Sequence, residues 1–184
     1  MAKVRWIYYL TKPLMRKKNI WLISDSVQKM SKDRIEFYKF LKAETNVDPY
    51  FVVSKDCANI NELKKIGNVV IARTKKHKFL YLHAKVVLAS RYNMSFFLPL
   101  YDRSNEIRDM IANKKFIYMH DGKESLAYNI KPWYNVYKFV LTDKQYYKKL
   151  LKDNNGYSKD NLLLIGDKIN NKIFKLIYEE ITKE

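Results

Sequence analysis

A histidine and an aspartate stand side by side directly after a short apolar run, where acid–base chemistry is possible. His120, Asp121 and Gly122 follow the run 116–119. Histidine titrates near neutral pH, an adjacent carboxylate can orient or charge it, and glycine leaves space for a close ligand or a tight turn. The segment is therefore the best local candidate for catalysis, with a surface histidine in a turn as the alternative.

Two further polar segments close apolar runs. Ser24 and Asp25 end the first run, and their hydroxyl and carboxylate can hold a polar or phosphorylated acceptor. The alternative is that Asp25 or Ser26 only caps or turns the chain. Ser90 and Arg91 end a later run, and a guanidinium suits phosphate better than an ammonium does.

Cysteine and histidine indicate no metal site. Cys57 is the single cysteine, which excludes an intramolecular disulfide and fits a reducing cytoplasm. The three histidines match no common metal signature. His77 and His83 stand six residues apart on one predicted helix, so they lie on different faces, and packing or exposure explains them better than a shared metal.

The first 18 residues contain six basic side chains and no acid. Apolar residues at 4, 7, 8, 14 and 15 share one side at helical spacing, which predicts an amphipathic helix on an anionic bilayer with Trp6 at headgroup level. Pro13 is expected to kink it. The alternatives are a helix packed on the domain or a frayed terminus. The expected membrane contacts are Lys3, Arg5, Trp6, Arg16, Lys17 and Lys18.

Charge points to an anionic partner. The 184 residues include 36 Lys and Arg against 19 Asp and Glu, a net charge of +17, while 47% hydrophobic residues exclude a disordered chain. The alternative is that part of the excess of lysine reflects codon bias, which an A/T-rich coding sequence would produce without any such partner. Tyrosine and lysine interleave through 134–149, as in proteins that stack bases, but no nucleic-acid signature accompanies them, so nucleic acid is disfavoured.

No segment reaches the roughly 18–20 apolar residues that span a bilayer, and none resembles a secretory signal.

Short β-branched runs alternate with amphipathic stretches from residue 19 onward. This alternation predicts an α/β fold with a mostly parallel, Rossmann-like sheet flanked by helices. Residues 1–18 form a basic appendage and 19–184 a single domain. Asn59 and Glu62 have the spacing of a capping box. Strands are predicted at 20–24, 50–54, 69–72, 86–90, 116–119, 139–142 and 162–165, and helices around 35–41, after 59, and at 75–84, 102–112, 144–152 and 172–181.

Ligands of such sheets bind at the carboxyl ends of the strands. With four glycines in all, the chain has neither a dinucleotide fingerprint nor a P-loop, so no conventional nucleotide cofactor is expected.

Read in order, these segments resemble the front half of the CDP-glycerol glycerophosphotransferases, which build teichoic acids in Gram-positive bacteria. The resemblance covers about residues 19–170. It is carried by Asn-Ile-Trp-Leu-Ile-Ser at 19–24, Glu-Phe-Tyr-Lys-Phe-Leu at 36–41, Leu-Lys-Lys-Ile-Gly-Asn-Val-Val at 63–70, Thr-Lys-Lys-His at 74–77, Lys-Val-Val-Leu-Ala-Ser at 85–90, Lys-Phe-Ile-Tyr-Met-His-Asp-Gly at 115–122, Phe-Val-Leu-Thr at 139–142 and Leu-Ile-Gly at 164–166.

The resemblance implies a GT-B-type transferase at the cytoplasmic face of the membrane. Its front half receives a lipid-linked, phosphate-containing acceptor, and its rear half binds the donor substrate CDP-glycerol, with no cofactor or metal. His120 or Asp121 would be the general base on the acceptor hydroxyl. The residues expected to position acceptor phosphate are Ser24, Asp25, Ser90, Arg91, Gly122 and Lys123.

The chain departs from the family pattern in three places. The family reads Gln-His-Gly where this chain has His-Asp-Gly, so Asp121 takes the aligned position and the imidazole of His120 moves back by one. The Pro and Arg of the family's Thr-Gly-x-Pro-Arg are replaced at 165–169, and the loop after the first strand has no glycine. The length leaves no room for a donor half, which we expect on a separate chain. The alternatives are an inactive membrane-surface binding or scaffold module and, third, a nucleic-acid-binding protein.

Overall fold

The computed structural model describes residues 2–26, 28–90, 98–119, 136–152, 157–166 and 169–183. Seven strands form a parallel sheet in the order β3-β2-β1-β4-β5-β6-β7, and the direction of strand addition reverses after β1. The strands are β1 (Ile20–Ile23), β2 (Asp48–Val53), β3 (Val69–Ile71), β4 (Val86–Ala89), β5 (Lys115–Met119), β6 (Val136–Leu141) and β7 (Leu162–Leu164).

The described ranges contain seven α-helices, and each connection between consecutive strands includes one, except the connection from β5 to β6, which falls at 120–135 outside those ranges. A 3-10 helix, Tyr101–Ile107, precedes the short fifth helix. None of the helices in the described ranges is long and apolar enough to cross a membrane. The helices are α1 (Ala2–Met15), α2 (Lys32–Glu44), α3 (Ile60–Ile66), α4 (Lys75–His83), α5 (Arg108–Ile111), α6 (Lys144–Lys152) and α7 (Asn171–Thr182).

The strands are short apolar runs because both faces are covered. Each side chain of β1 is at most 1% exposed. This is the pattern of a central parallel strand, not of a strand with one solvent-exposed face. β1 pairs in parallel with β2, and β2 with β3. The predicted α/β fold and all seven predicted strands are confirmed.

The chain divides into two compact units, and the described residues of the first lie within 1–87 and 93–114. In this unit the Tyr38 ring on α2 stacks on Phe51 of β2, and its hydroxyl accepts a hydrogen bond from the Asn68 N–H at 2.7 Å. A Cβ at Gly67 would overlap the Tyr38 hydroxyl. Glycine at 67 therefore permits the close approach of α2 to the segment before β3.

α1 is docked on the first unit through one side. Arg5 donates to the Asp109 carboxylate at 2.9 Å, and the Tyr9 hydroxyl donates to the same carboxylate at 2.7 Å. The buried Tyr8 ring stacks on His83 at the end of α4, and Thr11 Oγ1 lies 2.8 Å from His83 Nε2. The predicted boundary at residue 18 stays a prediction, and the helix itself packs on the domain.

The second unit contains the described residues within 88–92 and 115–184. The Lys115 ammonium donates to the carbonyls of Ile181 and Lys183, so it caps the carboxyl end of α7. Lys138 pairs with Glu180 at 3.1 Å. The core of this unit consists of Tyr118, Phe139, Leu141, Leu150 and Leu162.

Two sequence expectations about helices need correction. Asn59 does begin α3, but its side chain makes no cap hydrogen bond, so the predicted capping box with Glu62 does not form. Its amide is instead engaged with the loop before α2, because that loop has backbone groups that would otherwise be unsatisfied. The helix predicted at 102–112 is a 3-10 helix followed by one turn of α-helix, with Arg103 at non-helical φ and ψ.

Candidate functional site

The loop after β1 carries the first group of predicted site residues, and hydrogen bonds hold it closed. Ser24 and Asp25 are both buried. The Oδ2 atom of Asp25 accepts from the N–H of Ser31, the N-cap residue of α2, at 2.7 Å. The Ser26 hydroxyl donates to the Lys29 carbonyl and accepts from the Lys29 N–H. Asp25 and Ser26 thus make the turn and cap contacts of the alternative interpretation.

Asn59 fastens this loop to the neighbouring loop after β2. Its Oδ1 accepts from the Met30 N–H at 3.1 Å, and its Nδ2 donates to the Met30 carbonyl at 3.1 Å. The Cys57 thiol also donates to Asn59 Oδ1, and the Ala58 N–H donates to the Gln28 carbonyl. One side chain therefore satisfies both backbone groups of a buried residue, which leaves the loop a single well-defined path.

Arg34 is a buried cation that sequence reasoning missed. It lies on the first turn of α2 and is 5% exposed. A buried guanidinium must be compensated by hydrogen bonds or by an opposite charge. The side chain of Arg34 is therefore held in a defined position. The signal was present in the sequence: Arg34 precedes Tyr38 and Leu41 by four and seven residues, so it occupies an apolar position of the helical repeat.

His77 is a second buried titratable group beside a strand end. It lies in the first turn of α4, after β3, and is fully buried. Its Nδ1 accepts from the Arg73 N–H at 2.9 Å, so the proton of the neutral ring is on Nε2. Burial lowers the pKa of His77 to about 4. Nε2 has no hydrogen-bond partner among the described residues.

The two helical histidines do not meet. His77 lies at the amino end of α4, whereas His83 lies at its carboxyl end, against Tyr8 and Thr11 of α1. Burial, with the nearby Lys114 ammonium, lowers the pKa of His83 to about 4. Among the residues that the structure describes, no group of three His, Cys, Asp or Glu side chains could hold a metal ion.

Of the remaining predicted site residues, one lies in the second unit, and the others lie outside the residues that the structure describes. Ser90 directly follows β4 and is buried. Arg91, His120, Asp121, Gly122 and Lys123 lie outside the described residues.

The predicted membrane residues lie on different sides of α1. A stripe of large apolar side chains faces solvent, with Trp6 68%, Leu10 64% and Leu14 77% exposed. Arg5 differs from the other predicted contacts, because it pairs with Asp109 on the domain side. Of the five apolar residues predicted to share one side, Tyr8 packs inward and Leu14 faces outward. The exposed stripe contains Trp6, Ile7, Leu10 and Leu14. Lys3, Arg16, Lys17 and Lys18 are exposed as well, and of these Arg16 and Lys18 line a cavity on the docked side of α1.

Three of the interleaved tyrosines that raised the nucleic-acid hypothesis take part in packing, and Tyr134 lies outside the described residues. Tyr146 and Tyr147 on α6 pack against the core of the second unit. The Tyr137 hydroxyl donates to the Lys183 carbonyl, and the Lys115 ammonium lies 4.4 Å from its ring centroid. These three rings are therefore occupied by contacts within the unit.

We expect Asn59→Ala to loosen the loop after β1. The substitution removes both hydrogen bonds to the Met30 backbone, and unsatisfied buried polar groups cost about 1–3 kcal/mol each. The free energy of unfolding in urea should fall by about 2 kcal/mol, with faster amide exchange at Met30. Asn61→Ala, at an exposed position on α3, is the matched control and should change stability by less than about 0.5 kcal/mol. Equal effects of the two substitutions would contradict the role of Asn59.

Because His77 is buried as a neutral ring, we predict that the free energy of unfolding falls in mild acid. Above about pH 6.5 the ring is neutral in both states. As the pH falls from 6.5 towards 4, the unfolded chain binds a proton that the folded chain does not, which lowers the free energy of unfolding by up to about 1.4 kcal/mol per pH unit. Urea titrations at pH 7, 6, 5 and 4.5 should show a shallower slope in His77→Gln. An unchanged slope in this variant would rule out His77 as the source.

Comparison with known proteins finds similarity to a protein of teichoic acid biosynthesis. No family model matches, and no solved structure matches. Over 159 residues the chain is 26% identical to the minor teichoic acid biosynthesis protein GgaB of Bacillus subtilis (strain 168). The match covers 83% of this chain and 17% of GgaB. The resemblance predicted from the sequence is confirmed, and the chain is a homologue of one part of a much longer teichoic acid biosynthesis protein.

Proposed function

We propose that this chain forms the acceptor-side domain of a transferase that builds a cell-surface polymer. The similarity to a minor teichoic acid biosynthesis protein over 83% of the chain carries this proposal. The parallel sheet supports it, because such sheets present ligand-binding loops at the carboxyl ends of their strands. The resemblance to CDP-glycerol glycerophosphotransferases supplies the reaction, which is transfer of glycerol phosphate to a lipid-linked acceptor.

In this reaction an acceptor hydroxyl oxygen attacks the glycerol-bearing phosphorus of CDP-glycerol. A new P–O bond forms, the bond between the two donor phosphates breaks, and CMP leaves. The hydroxyl proton must pass to a base, and we assign that role to His120 or Asp121. A donor-binding domain distinct from residues 19–184 holds CDP-glycerol, so this chain binds the acceptor and supplies the base.

The loop after β1 is proposed to shape the acceptor site rather than to bind its phosphate. The Asp25 carboxylate repels an anion, and its Oδ2 already accepts from the Ser31 N–H. Acceptor phosphate is therefore assigned to Arg91 and Lys123, whose charges attract it. Ser24 and Ser90, each directly after a strand, are assigned to acceptor hydroxyl groups.

The second candidate is a catalytically inactive module that binds the membrane surface. The displaced imidazole favours it, because a shift of one residue at a strand end sends a side chain to the opposite face. Both candidate functions include contact with the membrane, so the measurement that distinguishes them is turnover of the transferase reaction.

Transfer of radiolabelled glycerol phosphate from CDP-glycerol to lipid-linked acceptor tests the transferase function. The purified chain is assayed with and without an extract of its source, which supplies a donor-binding domain. We expect turnover that requires both. His120→Ala or Asp121→Ala should lower the rate by about 10²- to 10⁴-fold.

Asp160→Ala is the matched control, because Asp160 is exposed and precedes β7, at the amino end of that strand. Unaltered turnover in both site variants would reject the proposed base. An absence of turnover with extract, while vesicle binding is retained, would favour the inactive module.

We further propose that α1 holds the domain on an anionic bilayer. Its stripe of Trp6, Leu10 and Leu14 is exposed while the opposite side is fastened by Arg5 and Tyr8. Burial of such side chains contributes about 1.5–3 kcal/mol each, and each cation near an anionic surface adds about 1 kcal/mol. The combination of an apolar stripe with flanking lysines is typical of an interfacial helix.

Sedimentation with vesicles that contain phosphatidylglycerol tests this contact. The double variant Leu10→Ser, Leu14→Ser should bind at least about tenfold more weakly than the unaltered chain. Leu176→Ser removes an exposed leucine from α7 and is the matched control, with binding unchanged. Binding of the double variant at the unaltered affinity would overturn the assignment of α1.

A further inference from the structure

A cavity of about 190 Å³ lies in the first unit, on the docked side of α1. The last turns of α1, the end of α4 and the residues around α5 surround it. Its lining is unusually rich in positive charge. The cationic side chains that line it are Lys12, Arg16, Lys18, Lys85 and Lys114.

The carboxylate that lines this cavity is already engaged. Asp109 accepts hydrogen bonds from Arg5 and from the Tyr9 hydroxyl. These contacts, with that of Tyr9 the stronger, hold the pKa of Asp109 below its usual range. No carboxylate of the described residues lies within ion-pair distance of the four exposed cations of the lining. Five cations therefore line the cavity against one carboxylate, and that carboxylate is paired with Arg5.

Lys114 forms the buried wall of the cavity and is held in place. Its ammonium donates to the Leu82 carbonyl at 2.9 Å and to the Ala84 carbonyl at 2.7 Å, and it lies 5.5 Å from the Tyr81 ring centroid. Two of its three N–H donors are thus used. Burial lowers the pKa of Lys114 to about 7, so an anion in the cavity would favour its charged form.

Helix ends explain only part of this charge. α1 and α4 both end at the cavity, and cations favour the carboxyl ends of helices. The effect falls off within the last turn, which accounts for Lys12 in the last turn of α1 and for Arg16 directly after it. Lys18 and Lys85 lie beyond the last turns of their helices, so the helix dipoles do not account for them.

We propose that this cavity binds the phosphate group of a small phosphate ester. Several ammonium groups and one guanidinium converge on it, and charge-assisted hydrogen bonds to phosphate are among the strongest that proteins make. Its volume suits a phosphate with a short polyol. Pockets for drug-sized ligands have volumes of about 300 Å³ or more, so the cavity favours a smaller ligand.

The cavity is distinct from the proposed acceptor site. Lys18 precedes β1 and Lys85 directly precedes β4, so both lie at the amino ends of strands. Ser24 lies at the opposite end of β1, and a strand of this length spans about 13 Å. The proposal therefore stands independently of the transferase function.

The cavity also lies away from the apolar stripe of α1. At about 100° per residue, Lys12 is about 160° around the helix from both Leu10 and Leu14. A bilayer that covers the stripe would thus lie on the other side of α1. This geometry favours a soluble or polymer-borne phosphate ester over a lipid headgroup.

Titration of the full chain with inorganic phosphate and with glycerol 3-phosphate, followed by amide NMR shifts, tests the proposal. We expect saturable shifts around residues 12, 85 and 114. The double variant Lys12→Ala, Lys85→Ala should weaken binding by about tenfold or more. Lys64→Ala, Lys65→Ala removes the same charge from exposed positions on α3 and should leave binding unchanged. Thermal unfolding confirms that each variant is folded.

Vesicles with and without phosphatidylglycerol provide the second arm. One outcome is that neither the unaltered chain nor the Lys12→Ala, Lys85→Ala variant binds soluble phosphate, while the variant loses vesicle binding. In that case the phosphate group that the cavity binds belongs to a lipid headgroup. Equal losses in the two double variants would show general charge attraction and overturn the proposal. No binding of phosphate from either source would also overturn it. Since neither Lys12 nor Lys85 belongs to the stripe or the proposed acceptor site, these results are separable from failure of the proposed function.

Discussion

Burial of both faces of short parallel strands is the constraint on which the rest of this structure depends. β1 has four residues and exposes almost none of their side chains, so helices must cover it on both sides. Its backbone is satisfied by neighbours in the sheet, while the polar groups that the chain needs for function must stand just beyond the strand ends. Ser24 and Asp25 stand there for this reason, as does Lys18 at the other end.

Once the interior is apolar, every polar group near it must be paired or neutral. Asn59 satisfies both backbone groups of Met30. Lys114 places its charge on two carbonyls at the end of α4. His77 takes the other solution, since its ring stays neutral and accepts from the Arg73 N–H. These side chains hold loops and helix ends in one conformation, which is the condition for a defined site.

The two ends of the strands in the first unit differ in chemistry. At the amino ends of the strands and the end of α1, the exposed cations Lys12, Arg16, Lys18 and Lys85 have no carboxylate partner among the described residues, so the first unit has a positive cavity there. The carboxyl end of β1 instead has a hydroxyl and a carboxylate that is committed to the helix that follows. Charge therefore attracts anions to one end, while hydrogen-bonding groups shape the other.

The sequence by itself determined the parallel α/β fold and the order of its seven strands along the chain, because apolar runs and helical periodicity are local signals. It also indicated that polar residues end the strands and that the amino terminus is basic and amphipathic. Tertiary structure decided which side of α1 is outward, since the contacts of Arg5 and Tyr8 orient it. It also decided that Asn59 bonds to Met30 instead of capping its own helix, and that five cations from four segments of the chain line one cavity. Contacts between residues far apart in sequence determine these outcomes, and such contacts cannot be read from local sequence patterns.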